Sequence, residues 1–306
     1  MNASPDSNAL RVDWPAYGML ALTILMWSGN AIVARAIRAD VPPITLSMLR
    51  WFGAAMLIAP FAARTLARDG ARLRAGWKSL AFLCLFGVLG YNALLYAGLQ
   101  WTTATNAMLM SALIPGLVLL IGWAALGVRE PAARIAGITL SVAGALYTVF
   151  RGDLDAALNL HLGRGEVLLI FGCVSWALYT VGLRFAPKVH AASFLFVTFI
   201  GAAIILLPIA IVTGEIGEVN WNPRSLAGIA YVAVFPSAAA FYLYNKAVAR
   251  VGPAIGGLAI TMLPICGAGL AALVLGEPLH GYHAIGIVLI LIGVIVAGRS
   301  RPLAPA

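Results

Sequence analysis

Blocks of about twenty apolar residues recur along nearly the whole chain, the length a helix needs to cross roughly 30 Å of hydrocarbon. They fall at 16–34, 44–63, 79–98, 102–125, 133–150, 165–184, 192–213, 225–248, 252–275 and 282–298. This predicts an all-α integral membrane protein of ten transmembrane helices. The composition agrees, because 62% hydrophobic and 10% charged residues leave too little polar surface to cover a water-soluble globule of 306 residues. The connections are short and marked by Pro42-Pro43, the stretch from Arg64 to Lys78, Arg129-Glu130-Pro131, Pro187-Lys188, Asn222-Pro223 and Gly276-Glu277-Pro278. The longest, Arg151 to Arg164, falls mid-chain, and no soluble domain is expected. The segment after Asp13 lacks the small-residue cleavage pattern of a secretory signal, so helix 1 is expected to be retained.

A net charge of +9 raises the question of nucleic acid, but the basic residues are scattered singly between apolar blocks rather than gathered into a phosphate-binding patch. No nucleic-acid partner is expected. Cys84, Cys173 and Cys266 lie inside apolar stretches without a CxxC pair, so they read as small core residues. His161, His190, His280 and His283 are all expected outside the hydrocarbon region, and no Walker motif is present. Neither a metal nor another cofactor is expected.

The halves resemble each other when the second is shifted by about 148 residues. Trp27 then meets Trp176, Gly53 meets Gly201, Pro60 meets Pro208, Pro115 meets Pro264, Arg129-Glu130-Pro131 meets Gly276-Glu277-Pro278, and Gly144 meets Gly293. Six correspondences in order predict two five-helix repeats, at 16–150 and 164–298, flanked by tails at 1–15 and 299–306. Five is odd, so the second repeat enters the membrane with inverted orientation, as in many secondary transporters. With the N-terminus inside, fourteen of the twenty basic residues, among them Arg64, Arg68, Lys78, Lys188 and Arg250, fall on the cytoplasmic side. Both termini are therefore expected in the cytoplasm.

The helix-1 run Trp27-Ser28-Gly29-Asn30, Arg50 early in helix 2, Pro115 and Pro264 in helices 4 and 9, and the Gly-Glu-Pro after helix 9 resemble the drug/metabolite transporter superfamily, specifically its EamA-like ten-helix exporters. The likeness covers roughly 16–298. It implies an exporter in the plasma membrane, the inner membrane of a bacterium, and the Trp- and Tyr-rich middle of the chain is similar to exporters of aromatic and other neutral amino acids. Arg129 stands where the second repeat has Gly276, a departure expected to affect a loop only.

At 1.5 Å per residue, Trp27 sits about 16 Å into helix 1, near the midplane, and Trp176 reaches the same depth from the other side. Tryptophan ordinarily sits in the interfacial belts, where Trp14, Trp77 and Trp221 are expected. Two midplane tryptophans read either as helix packing or as paired walls of a cavity. Asn30 on helix 1 and Tyr91, Asn92 and Tyr96 on helix 3 should face protein or water, not lipid. Helix 8 presents Ser237, Phe241, Tyr244 and Asn245 just past Pro236, whose missing N–H frees a carbonyl that could accept from an ammonium group or simply mark a kink. Asn106, Met110 and Ser111 on helix 4 and Tyr179 on helix 6 complete the candidate substrate-binding set. Arg50, Pro115, Pro236 and Pro264 read as gating or structural. Arg50, about 9 Å below the end of helix 2, has two readings: it pairs with a substrate carboxylate, or it snorkels outward or holds helix-end carbonyls.

Every Asp and Glu falls at a helix end or in a connection, so no carboxylate is expected inside the membrane. That argues against proton-coupled extrusion of cations. The expected function is therefore facilitative export of neutral, aromatic or large apolar amino acids by alternating access, with export of hydrophobic drugs or another metabolite as the alternative. The partners are a small-molecule substrate and the lipid bilayer, and a monomer suffices. An intramembrane enzyme would need a nucleophile with its base, paired carboxylates or a histidine cluster, and none is visible. A non-transporting helical scaffold would leave the midplane polar aromatics unexplained.

Overall fold

Helix after helix begins with a side chain or a proline that suits a first turn. Asp13 accepts the Ala16 N–H at 3.1 Å ahead of α1, Trp14–Ala36. Pro43 opens α2, Pro43–Ala75, and Asn222 caps α8, whose first segment is Pro223–Ala233, through a reciprocal pair of bonds with Ser225. The computed structural model describes residues 13–127, 130–153, 155, 162–251 and 259–298. Between α2 and α8 lie α3, Trp77–Gly98; α4, Ala104–Leu126; α5, Ala132–Val149; α6, Arg164–Phe185; and α7, Ala191–Val212. The helix α8 joins Pro223–Ala233, Val234–Ala239 and Ala240–Val251, and it is followed by α9, Leu263–Leu275, and α10, Gly281–Gly298. Eight of these are long and apolar enough to cross a membrane, α9 and α10 are shorter and apolar, and no strand occurs among the described residues.

Large apolar side chains such as Leu120, Phe171, Ile204 and Leu273 stand exposed on the outside of the bundle, where only lipid would solvate them. Trp14, Trp77 and Trp221 are exposed at helix ends, the positions of an interfacial belt. Cys84 and Cys173 are buried, and Cys266 is partly so.

The packing is built from three central pairs: α2 on α7, α4 on α9 and α5 on α10. In addition α1 packs on α8 and α9, and α6 packs on α3 and α4. Exchanging each helix with the one five places on maps these pairings onto one another. The α5–α10 seam depends on small residues: a Cβ at Gly144 would stand 2.8 Å from the Gly286 carbonyl oxygen, and one at Gly137 would press closer still on the Gly293 and Ala297 backbone. Ser141 adds a bond from Oγ to the Ile290 carbonyl at 3.2 Å.

Two expectations need correction. The segment Arg64 to Lys78 is not a connection, because α2 continues to Ala75 over 33 residues and α3 starts after Gly76 alone. The Arg-, Ala- and Leu-rich sequence beyond the apolar block is too polar for a bilayer but favours helix. Asp69 lies on this extension, buried, and accepts the His190 N–H at 2.9 Å at the start of α7. The second correction concerns the residue equivalent to Gly276. Gly127 and Gly276 end α4 and α9 with the same left-handed φ of 65°, so Gly127 fills that place and Arg129 lies outside the described residues.

Candidate functional site

A cavity of about 170 Å³ lies at the centre of the bundle, and every helix contributes to its wall. Trp27 and Asn30 come from α1, Arg50 and Trp51 from α2, Tyr91 and Asn92 from α3, Ser111 and Pro115 from α4, and Ser141 from α5. Trp176 and Tyr179 come from α6, Thr198 and Phe199 from α7, Phe241 from α8, Pro264 from α9 and Ile290 from α10. The aromatic residues form two groups. Trp27 packs against Phe241 at 5.7 Å and Tyr244 at 5.3 Å between ring centroids, and Trp176 packs against Tyr91 at 4.9 Å and Tyr179 at 5.1 Å.

Backbone irregularities sit beside this cavity. Cys84–Gly90 in α3 and Val234–Ala239 in α8 are π-helical, a rare winding that shifts hydrogen bonds from the fourth to the fifth residue and frees local carbonyls. The Phe86 carbonyl accepts from Ser175 Oγ at 2.7 Å, and the Pro236 carbonyl accepts from Trp27 Nε1 at 3.0 Å. Pro236 lacks an N–H, and the Val232 carbonyl is taken by Ser237 Oγ at 2.8 Å. Each of these carbonyls already accepts one bond from within the protein. In α4, the tighter turn Ser111–Leu113 precedes Pro115, and Ser111 Oγ turns back to the Met108 carbonyl at 2.6 Å. These breaks let α4 present Ser111 and Pro115 to the cavity.

Of the two sequence readings of Arg50, the structure departs from the snorkelling or helix-end one and leaves the pairing with a substrate carboxylate open. Arg50 is 3% exposed and holds no helix-end carbonyl among the described residues. Its Nε donates to Ser237 Oγ at 2.8 Å, and its Nη1 to Asn92 Oδ1 at 2.6 Å, Tyr96 Oη at 2.7 Å and Asn30 Oδ1 at 2.9 Å. Tyr96 also donates to Asn30 at 2.7 Å. The guanidinium carbon lies 4.3 Å from the centre of the Trp51 ring. No carboxylate pairs with Arg50 among the described residues, where the ion pairs found, Arg134–Glu130 and Arg250–Asp13, lie at the ends of the bundle.

Of the residues expected at the site, Trp27, Asn30, Tyr91, Asn92, Ser111, Trp176 and Tyr179 line the cavity, together with Arg50, Pro115 and Pro264. Tyr96 and Ser237 are buried behind the wall as partners of Arg50. Tyr244 backs Trp27 rather than bordering the space. Met110 is fully buried, its carbonyl near Cys173 Sγ. Asn106 lines a second depression with Arg35, Thr102, Arg151 and Glu166, close to the start of α4. The side chain of Asn245 lies outside the described ones. Sequence reasoning overlooked Trp51 and Phe199, which stack at 4.7 Å across the α2–α7 seam. The repeat offset was the available signal, since it places residue 51 opposite residue 199.

Residues 14–150 and, separately, residues 163–299 match the EamA-like transporter family. An uncharacterised transporter of Archaeoglobus fulgidus is 28% identical over 92% of this chain and 97% of its own length. The transporter YyaM of Bacillus subtilis, also uncharacterised, is 26% identical over 74% of each chain. The WAT1-related protein At3g18200 of Arabidopsis thaliana is 25% identical over 87% of this chain and 77% of its own. A crystal structure with 22% identity shares the fold, with a TM-score of 0.65 over 92% of this chain and 96% of the other. The central cavity thus belongs to a membrane transporter, and the chain is a member of the EamA-like transporter family.

Proposed function

We propose that this transporter exports neutral, aromatic or large apolar amino acids down their concentration gradient, through alternating access of the central cavity. The observation that carries the reading is the cavity itself, touched by all ten helices and walled by the two aromatic groups around Trp27 and Trp176. In this reading all ten helices cross the membrane as two inverted five-helix repeats, both termini are cytoplasmic, and the inner membrane of a bacterium is the site of action. The exchange-symmetric packing supports it, because a twofold axis in the membrane plane supplies two conformations related by swapping the roles of the halves. No Asp or Glu lines the cavity, which supports a facilitative mechanism over proton coupling.

The test is flux into proteoliposomes containing the purified protein. Labelled phenylalanine and leucine should enter along their gradients and equilibrate, with a protonophore making no difference. Accumulation driven by a pH difference alone would refute facilitative transport. Failure of every amino acid, with transport of hydrophobic drugs instead, would refute the substrate assignment.

A further inference from the structure

Arg50 carries a guanidinium, yet its hydrogen-bond partners are all neutral: two amides, a phenol and a serine hydroxyl. They orient the guanidinium without neutralising it, which leaves an expensive buried charge at a cavity wall. Those bonds use Nε and Nη1. Nη2 donates to none of the described residues. Trp51, the next residue, borders the same cavity at 2% exposure, and its buried indole N–H has no acceptor among the described residues. Two neighbouring wall residues therefore combine a positive charge with a buried indole N–H that lacks an acceptor among the described residues. The complement of that arrangement is an anionic group that only accepts hydrogen bonds, and among neutral-pH metabolites of this size a carboxylate fits it. The opposite charge has no such provision. The lining contains no Asp or Glu, so an ammonium group would meet only aromatic faces and neutral dipoles.

We propose that Arg50 and Trp51 form a carboxylate subsite, and that the transporter recognises its cargo by the carboxylate rather than by the ammonium group. Apolar monocarboxylates without an amino group are then cargo as well. This rests on the central cavity being the transport site. The ion pair formed on binding neutralises Arg50, so the bound acid stabilises the protein while the corresponding amine does not.

Three probes with the same side chain separate the charges: phenylalanine carries both, 3-phenylpropionate only the carboxylate and phenylalaninamide only the ammonium. Binding is read as a rise in melting temperature and as a titrated affinity of the purified full chain, with phenylalanine flux measured in proteoliposomes. Expected is comparable binding of phenylalanine and 3-phenylpropionate, with phenylalaninamide at least about tenfold weaker. Arg50→Gln should weaken both acids by about tenfold or more and leave the amide unchanged. Trp51→Phe keeps the ring and its packing but loses the N–H, and should weaken both acids several-fold even if Arg50→Gln fails to fold. Equal binding of amide and acid, or unchanged acid binding in Trp51→Phe and Arg50→Gln, would overturn the subsite while phenylalanine flux kept the proposed function. Binding of 3-phenylpropionate without any binding or flux of phenylalanine would support the subsite and remove the amino-acid reading. Binding of none of the three would overturn both.

Discussion

Trp27 on α1 donates its indole N–H to the Pro236 carbonyl oxygen, 3.0 Å away in the π-helical stretch of α8. Ser175 on α6 makes the corresponding bond to the Phe86 carbonyl in the π-helical stretch of α3, at 2.7 Å. Each bond ties a cavity-bearing helix to the irregular turn of its neighbour in the other half, where a change of winding is easiest.

Trp27→Phe tests this link, because it retains an aromatic ring against Phe241 and Tyr244 but leaves the Pro236 carbonyl without its donor. The loss of one buried bond costs about 1–3 kcal/mol. If the bond differs in strength between the two access states, the variant's maximal flux should fall several-fold with a smaller change in the half-saturating substrate concentration. Trp27→Ala removes the wall as well and should raise that concentration too. Initial rates of phenylalanine flux in proteoliposomes distinguish these, and equal rates for Trp27→Phe and the parent would show that the bond plays no part in transport.

Two glutamates hold helix starts that belong to other parts of the chain. Glu277 accepts from the Ala104 and Thr105 N–H groups, both at 2.9 Å, and from the Thr105 hydroxyl at 2.7 Å. Glu215 accepts from the Ile44 and Thr45 N–H groups at 2.9 and 3.1 Å. A carboxylate there satisfies orphan donors and faces the positive end of the helix dipole. Glu277→Ala should destabilise the protein by about 1–2 kcal/mol, and Glu277→Gln by less, because the amide oxygen still accepts. Thermal unfolding followed by tryptophan fluorescence checks this, and identical melting of Glu277→Ala and the parent would assign these bonds no net stabilisation.

The helices were legible because apolar blocks of bilayer length are a direct consequence of the solvent, and the depth of Trp27 follows from counting along one of them. The run past Arg64 was not, since hydropathy detects the end of the membrane and says nothing about where a soluble helix stops. The snorkelling reading of Arg50 failed for another reason. A charge in an apolar block ordinarily reaches for the interface, and whether it stays depends on acceptors from α1, α3 and α8 converging on one point, which no single helix reveals. Pro236 was legible as a break, but the fate of the Val232 carbonyl depended on the local return of Ser237, and that of its own carbonyl on Trp27 lying across the bundle.

The last prediction concerns orientation. In the α5–α10 pair Gly137 lies beside Gly293 and Gly144 beside Gly286, so the two helices run antiparallel. In the α4–α9 pair Thr105 meets Glu277 and Met108 meets Gly267, again antiparallel. Helices five apart in the chain thus run in opposite directions in both pairs, the arrangement an inverted repeat requires. Lys188 follows α6 at the end of the bundle where its carbonyl meets Arg72, whereas Leu279, between α9 and α10, lies near the start of α4 beyond Glu277. Both side chains are exposed. The end holding Lys188 also carries Arg64, Arg68, Arg72, Arg74 and Lys78, a density of basic residues that the proposed orientation assigns to the cytoplasmic face. In a Cys266→Ala background, which leaves only the buried Cys84 and Cys173, a membrane-impermeant maleimide added to intact cells should label Leu279→Cys and not Lys188→Cys. Inside-out vesicles should give the reverse. Labelling of both positions from one side would break the inverted arrangement, and exchange of the two results would turn the molecule over in the membrane while leaving its internal symmetry intact.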